Sequence, residues 1–337
     1  VGWRRPQALI ADAAACGGGR SAALPPVAAV HFIRDIIRAA QSRLSLQSSE
    51  LAGKARAVHG DVPVGREQGE TRGDDPVAPT FDTSVAHVAR VYDYWLGGKD
   101  NYAADRTAGD AVIRVYPSVV TAVRANRAFL TRAVRYLTAE AGIRQFLDIG
   151  TGIPTASNTH EVAQSIAPGS RVVYVDNDPV VLAHARALLT SSSAGATGYI
   201  DADLRDTDTI IGQAAATLDF ARPVAVMLIA VMHLIGDTAD PYGIVAKLLT
   251  AVPRGSYLAL SHLASDIESA AMAESKRQLD PLLYEQRTHR THAQVERFFD
   301  GLDVIEPGVV RVPEWRPDSE LEATAPAPLW CGVGRKP

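Results

Sequence analysis

From Arg144 onward, short apolar runs alternate with longer stretches in which apolar positions recur every three or four residues. The runs predict strands at 145–149, 171–176, 197–201, 223–230 and 256–261. The stretches between them predict helices at 157–166, 179–190, 207–217 and 240–251, with further helices across 266–300. Near-continuous apolar strands separated by helices imply a parallel sheet covered on both faces. The C-terminal end breaks the pattern. Leu302–Glu306 and Leu329–Val333 have no helix between them, only a Pro/Gly turn and a proline-rich loop, so these two are expected to pair antiparallel.

Upstream, helices are expected at 84–96, 103–115 and 118–141; in the last, Val119, Val123, Ala125, Phe129, Val134 and Leu137 form an apolar stripe. The first 79 residues read differently. Val30, Ile33, Ile36, Ile37 and Ala40 fit a helix across 27–47. Residues 60–79 carry Gly, Pro, Glu and Asp and too few apolar side chains to offset the entropy of ordering. The expected organisation is an N-terminal extension over 1–79, partly helical with a flexible linker, a helical lid region over 80–141, and an α/β domain over 142–337.

Composition narrows the classes. Of 337 residues 47% are apolar, ample for a core, and a net charge of −4 gives no electrostatic case for nucleic acid. The longest apolar run, Val224–Met232, falls far short of the roughly 20 residues a membrane helix needs. Arg4-Arg5 before an alanine-rich segment ending at Cys16 has the outline of an export signal, but Asp12 interrupts a core that is already too short. With only Cys16 and Cys331, neither a disulfide framework nor a cysteine-based zinc site is indicated. The expectation is a cytoplasmic protein with no membrane or nucleic-acid partner. Nothing in the sequence indicates an oligomer.

The candidate chemistry gathers where strands end. FLDIGTGIPT (146–155) closes an apolar run in Gly150-Thr151-Gly152. In open α/β sheets ligands bind beyond the carboxyl ends of strands, and glycine there lets backbone N–H groups approach without a Cβ in the way. The second strand ends in Asp176, where an acid can accept from both hydroxyls of a ribose. Asp203, past the third strand, suits either an adenine amino group or a helix N-cap. Asp148 is placed to orient an ammonium or buttress the turn. From these residues alone, the turn could hold a dinucleotide's pyrophosphate, the amino-acid end of S-adenosylmethionine, or nothing. An NAD-dependent oxidoreductase is the weaker option, because Ile153, Pro154 and Thr155 supply no third glycine.

The runs FDTSVAHVARVYDYWLGGKDNYAADR (81–106), FLDIGTGIPT, VVYVDNDPVVLAHARALL (172–189) and VIEPGVV (304–310) together resemble one actinobacterial family. That family is the DUF574-type group of S-adenosylmethionine-dependent methyltransferases of unassigned substrate. The likeness runs from about Phe81 to the end, and Tyr-Asp-Tyr-x-Leu-Gly-Gly-Lys-Asp-Asn is its most specific part. The resemblance implies a Rossmann-like α/β fold: a seven-stranded methyltransferase sheet, mostly parallel with a C-terminal antiparallel strand, helices on both faces, and an N-terminal helical lid. It also implies S-adenosyl-L-methionine as cofactor, bound within 142–337. Gly150, Thr151 and Gly152 would face its methionine part, Asp176 the ribose, Asn177 the adenine flank, and Asp203 with the Leu204 backbone the adenine edge. A third glycine common in methyltransferases is Pro154 here, a residue suited to the first position of a helix.

Around Gly97-Gly98 cluster Arg90, Tyr92, Tyr94, Trp95, Lys99, Asp100 and Tyr102. As a lid, Tyr94 and Trp95 would stack on cofactor or substrate while Arg90 meets the cofactor carboxylate. The plainer alternative is an amphipathic helix covering a sheet edge; the turn chemistry of Gly-Gly-Lys-Asp-Asn favours the lid. His233, in the loop after the fourth strand, is the expected general base if the acceptor is a hydroxyl or acidic carbon; the alternative is a histidine packed under the cofactor. His262, ending the fifth strand, is the second candidate. His87, His160, His184, His289 and His292 lack ligand spacing, so no metal site is expected. Met272, Leu279, Leu282, Leu283 and Tyr284 are read as part of a substrate wall, or else as plain helix packing. The expectation is a metal-independent methyltransferase for a small-molecule acceptor, such as a secondary metabolite. Its rival is a cofactor-binding protein of the same fold with a non-methylating role.

Overall fold

Three helices, α1 (Val88–Leu96), α2 (Ala103–Val115) and α3 (Val119–Ala139), precede the first strand. Strands and helices then alternate: β1 (Gln145–Ile149), α4 (Thr159–Ile166), β2 (Arg171–Asp176), α5 (Pro179–Leu188) and β3 (Ala196–Asp201). The alternation continues through α6 (Thr207–Ala214), β4 (Ala225–Ile229), α7 (Pro241–Thr250) and β5 (Tyr257–Leu263). The C-terminal part adds α8 (Ser269–Leu279), α9 (His292–Glu296), β6 (Asp303–Val304), β7 (Val310–Arg311), α10 (Glu320–Ala323) and β8 (Leu329–Arg335). The computed structural model describes residues 82–188, 192–283 and 286–337, and side chains for all of these except 184–188. The expected helix at 27–47, the linker at 60–79 and Tyr284 lie outside the described residues.

One sheet runs in the order β3-β2-β1-β4-β5-β8-β6, with β7 also on β8. Strands β1 to β5 are parallel, and β8 lies antiparallel to β5 from Tyr257↔Arg335 to Leu263↔Leu329. Both β6 and β7 pair antiparallel with β8, so the sheet is seven positions wide with its last strand split in two. The Rossmann-like fold expected from the sequence is therefore the fold observed, including the antiparallel end.

Alternation along each strand builds the two covered faces. Phe146, Val172, Tyr174, Ala225, Met227, Tyr257 and Ala259 pack with α1–α3 side chains such as Val91, Val112, Phe129 and Val134. Leu147, Ile149, Val173, Val175, Val226, Leu228, Leu258 and Leu260 face the other way, toward Ile210, Val245, Leu248 and Phe298. Between β1 and β4 the strand order reverses, because β1 has β2 on one side and β4 on the other. Helices leaving the two strands diverge there, and a crevice opens beyond their carboxyl ends.

The 266–300 region is less helical than its pattern predicts. Among the described residues of this region, α8, α9 and two single 3-10 turns are the helical elements. Arg290 donates its backbone N–H to Leu263 O (3.1 Å), and Ser265 N donates to Arg290 O (3.0 Å), so this stretch runs extended beside the end of β5. Met272, Leu279 and Leu283 are buried in the core and Leu282 is exposed; none lines the crevice, and the packing alternative holds for them.

Candidate functional site

The glycine turn is built by two left-handed residues, Gly150 (φ 73°) and Gly152 (φ 67°), a region that costs other L-residues energy. Their surroundings differ. A Cβ on Gly150 would stand 2.3 Å from Val231 Cγ2, so the close approach of β1 to the loop after β4 requires glycine. A Cβ on Gly152 would meet nothing within 4 Å and would project into open space. Gly150 N donates to Val175 O (2.8 Å), and the Thr151 hydroxyl donates to Asp148 O (3.1 Å), fixing the turn to β2 and β1.

Two acids are held rigidly around this turn. Asp176 accepts from Gly152 N (2.9 Å) and from Asp178 N (3.0 Å). Burial raises its pKa, against those two bonds, which lower it. Asp148 accepts from the Thr159 hydroxyl (2.6 Å), and burial pushes its pKa up to about 6, the Thr159 bond and the Arg127 charge opposing. Unlike these, Asp203 stands at a half-exposed turn and accepts from Arg205 N (2.8 Å) and the Arg205 guanidinium (2.7 Å). The cap of α6 is Asp206, which accepts from Thr209 N (3.1 Å), so Asp203 is free of that structural duty.

Asp148, Gly150, Thr151, Gly152, Asp176, Asn177, Asp203 and Leu204 all line one cavity, whose empty space of about 1080 Å³ includes open solvent at its mouth. Its side wall comes from Ile229, Ala230, Val231, Leu234 and Ile235. Its roof is one face of α1 with its cap, through His87, Ala89, Tyr92, Asp93 and Leu96, joined by Asn126, Arg127 and Leu130 of α3.

Five residues expected at the site stand elsewhere, three of them on α1. Arg90 is buried, its Nε 3.1 and 3.2 Å from the two Asp105 oxygens and its Nη2 donating to Val85 O (2.8 Å). It braces α1 against α2 and does not reach the cavity. The Tyr94 hydroxyl donates to Asp110 (2.7 Å) and Trp95 Nε1 to Gly109 O (3.2 Å), so both rings turn toward α2. The Gly-Gly-Lys-Asp-Asn segment is a helix end: Asp93 accepts from Asp100 N (3.0 Å) and Asn101 Nδ2 (2.8 Å). A Cβ on Gly98 would lie 1.9 Å from Asp93 Oδ1. The signature thus locks α1 to α2, and the opposite face of α1 meets the cavity.

The two histidines are also displaced. After β4 a 3-10 turn, Met232–Leu234, directs Val231 and Leu234 into the cavity and buries His233 behind them. Burial, then the His262, Arg287, His289 and Arg290 charges, depress the His233 pKa well below its usual value. His262 is wholly buried; its Nε2 stands 2.8 Å from Arg290 Nη1, which can only donate, so its Nδ1 carries the proton given to Leu263 O (2.9 Å). Burial takes its pKa down to about 3. Arg290 also donates to Ile235 O (3.0 Å) and Asp237 (2.6 Å), which pins the loop after β4. Neither imidazole lines the cavity.

Sequence reasoning missed His87, Asn126 and Arg127 as cavity residues and had Tyr92 only as one aromatic of the expected lid. Asn126 donates to the Tyr92 hydroxyl (3.0 Å) and accepts from Ser261 (2.6 Å), whose oxygen accepts from Ala230 N (3.0 Å). That chain holds Ala230 at φ 54°, a strained conformation at the cavity wall. Arg127 donates to Ala156 O (3.2 Å) and Ser157 O (3.3 Å), next to the glycine turn. A polar Asn126-Arg127 pair beside the apolar stripe of α3 was the available signal. Among the described residues no group of three or more His, Cys, Asp or Glu side chains could hold a metal ion, and no helix is long and apolar enough to cross a membrane.

Comparison with known proteins agrees with this geometry. A family model described as S-adenosyl methyltransferase matches residues 74–337. Among solved structures, a DUF574 family protein from Streptomyces avermitilis is 47% identical, with a TM-score of 0.74 over 76% of this chain and 99% of that one. A candidate methyltransferase from Thermobifida fusca is 41% identical, with a TM-score of 0.70 over 76% of this chain and 96% of that one. No curated protein matches the chain. On sequence, fold and cavity together, the chain belongs to the S-adenosyl methyltransferase family and is an S-adenosylmethionine-dependent enzyme.

Proposed function

We propose that this methyltransferase methylates a small, largely apolar acceptor, without a metal, in the half of the cavity walled by Leu96, Leu130, Ile229, Val231, Leu234 and Ile235. The observation that carries the proposal is the division of one cavity into two chemistries. Acids and the glycine turn stand on one side, and aliphatic side chains with the Tyr92–Asn126 pair stand on the other.

The polar side fits the cofactor. Gly152 leaves open the space that a Cβ would fill, and its N–H already orients Asp176. Asp176 keeps lone pairs for the two ribose hydroxyls. Asn177, Asp203 and the Leu204 backbone take the adenine edge. Arg127, in place of Arg90, meets the cofactor carboxylate from the roof, and Asp148 supports the ammonium side of the turn. S-adenosylmethionine supplies, when bound, a methyl group on a positively charged sulfur. The chain's own work is then to align the acceptor and exclude water. In-line positioning of this kind accounts for a large part of the barrier in bimolecular transfers. Asn126, held by Tyr92 and Ser261, is the polar group that orients the acceptor. A cytoplasmic setting belongs to the same reading, supported by the sparse cysteines.

The test is calorimetric titration with S-adenosylhomocysteine and NAD in parallel, followed by methyl transfer from labelled cofactor to a panel of acceptors. S-adenosylhomocysteine alone is expected to bind, and neutral aromatic or aliphatic acceptors are expected to be labelled ahead of charged ones. Preferential labelling of peptides, nucleic acid or highly charged metabolites would overturn the acceptor class.

A further inference from the structure

We infer that His87 is a cofactor-positioning residue: through its pair with Asp178 it places a titratable positive charge beside the Asp178 and Asp176 carboxylates, and it fastens the roof helix to the nucleoside side of the cavity. The inference rests on the reading of this cavity as the S-adenosylmethionine site with Asp176 at the ribose.

His87 is the N-cap of α1 and lines the cavity. Its backbone N–H donates to Asp105 Oδ1 (2.9 Å). Its Nδ1 lies 2.8 Å from Asp178 Oδ2 and 3.3 Å from Ala89 N. One nitrogen cannot both accept from Ala89 and donate to Asp178. A 2.8 Å approach of an imidazole nitrogen to a carboxylate oxygen requires a proton between them, whereas 3.3 Å is a weak cap, so the Asp178 pair prevails. Asp178 Oδ2 is buried and has no other hydrogen-bond donor. Its Oδ1 accepts from Val180 N (2.8 Å), and its own N–H is the one that orients Asp176. One turn therefore carries two buried acids, with His87 bonded to the second.

The charges facing His87 come from three elements. The turn after β2 contributes Asp178 and Asp176; α1 contributes Arg90; α2 contributes Asp105. Arg90 is bonded to Asp105, and its Nη1, 3.9 Å from Asp178 Oδ2, gives that acid a second and weaker counter-charge. The imidazole is thus the nearer of the two cations to Asp178, and the one that titrates. Burial works against a charged His87, but the Asp178 bond and the Asp178 and Asp176 charges outweigh it and raise its pKa above the usual 6.5. The sign follows: the charge is present below that raised pKa and is lost as the pH rises through it. Asp176 and Asp178 then face each other with only the more distant Arg90 as counter-charge while a bound nucleoside takes away their water, a combination that raises the cost of keeping both ionised. Nucleoside affinity falls on the alkaline side. Protonation of Asp148 and Asp176 makes a separate acid limb, in a range where His87 stays charged and contributes no step of its own.

The experiment is calorimetric titration of S-adenosylhomocysteine into the wild type and His87→Asn from mildly acidic to alkaline pH. Asparagine places a donor where Nδ1 sits and is itself a good N-cap, so the helix end survives while the titratable charge does not. The wild type is expected to weaken about five- to tenfold across the alkaline window, the scale of one ordinary net hydrogen bond. His87→Asn is expected to begin at the weaker level and to lack that step. 5′-Methylthioadenosine, which has no amino-acid end to titrate, repeats the comparison free of the ligand's own amine. Parallel profiles for the two proteins overturn the role of His87 and leave the cofactor site standing. Failure of S-adenosylhomocysteine to bind the wild type at any pH overturns the cofactor reading, and His87 with it.

Discussion

Gly150 and Gly152 share a backbone conformation and differ in what surrounds them, so alanine at each separates two physical effects. At φ 73° and 67° both positions hold a left-handed residue, which costs an alanine about 1–2 kcal/mol. Only Gly150 adds a collision, with Val231 Cγ2 at 2.3 Å and Val231 Cβ at 2.5 Å from the new carbon. Forcing a methyl into a filled core costs about 1–3 kcal/mol more. Gly150→Ala should therefore lose about 2–5 kcal/mol of unfolding free energy and Gly152→Ala about 1–2. Urea unfolding of the cofactor-free protein, followed by far-UV circular dichroism, measures both. Adding Val231→Ala to Gly150→Ala should recover only part of the loss, since it removes the Cγ contacts and leaves the Cβ in place. Binding should rank the other way among folded variants: the Gly152→Ala methyl enters the cofactor cradle and should weaken S-adenosylhomocysteine at least tenfold, on the order of 1.4 kcal/mol. Equal stability losses at the two glycines would refute the packing argument.

Asp176→Ala should weaken S-adenosylhomocysteine by about 1.5–3 kcal/mol, the scale of hydrogen bonds to a charged group; unchanged affinity in a folded variant rejects the ribose placement. Arg127→Met should weaken S-adenosylhomocysteine but leave 5′-methylthioadenosine, which lacks the carboxylate, within about twofold, because only a charge-assisted bond is removed. Equal losses for the two ligands would point to collapse of the roof instead. Asp148 has its pKa raised from 3.8 to about 6, so the native state holds the proton more tightly, and stability falls as the pH climbs between those values. The full cost, on the order of 3 kcal/mol at 1.36 kcal/mol per unit, is present above that window. Asp148→Asn keeps an acceptor for Thr159 and should be more stable than wild type near neutral pH, with the difference vanishing in acid. Unfolding curves that coincide near neutrality argue against it. His233→Gln should keep turnover and its pH profile within a few-fold, because the imidazole lies outside the cavity; loss of most turnover with intact cofactor affinity would restore the histidine base.

The sheet was legible because its strands are buried on both faces and its helices on one, and those two periods differ plainly in sequence. The glycine turn and the three acids were legible because fold topology alone carries strand ends to one edge. Side-chain direction was not. Arg90 looked free because Asp105, its buried partner, lies on another helix. Tyr94 and Trp95 looked like stacking surfaces because nothing in a linear pattern says that Gly109 leaves room for them. His233 sits one position from Leu234 in a tight turn, and a single step of that turn decides between cavity and interior. His87 gains its meaning from Asp178, far away in the chain, and its own neighbours identify only a helix start.

The split last strand has a consequence for the molecule in a crowd. A continuous outer strand would offer passing chains a full row of unpaired N–H and C=O groups on which to add another strand. Here the outer row consists of two two-residue pieces on β8, parted at Glu306-Pro307-Gly308, where proline has no N–H to give. Asp303, Glu306 and Arg311 add charge along the same margin. Too few hydrogen bonds lie in register for a foreign strand to nucleate, so this margin resists aggregation by strand addition even at high protein concentration.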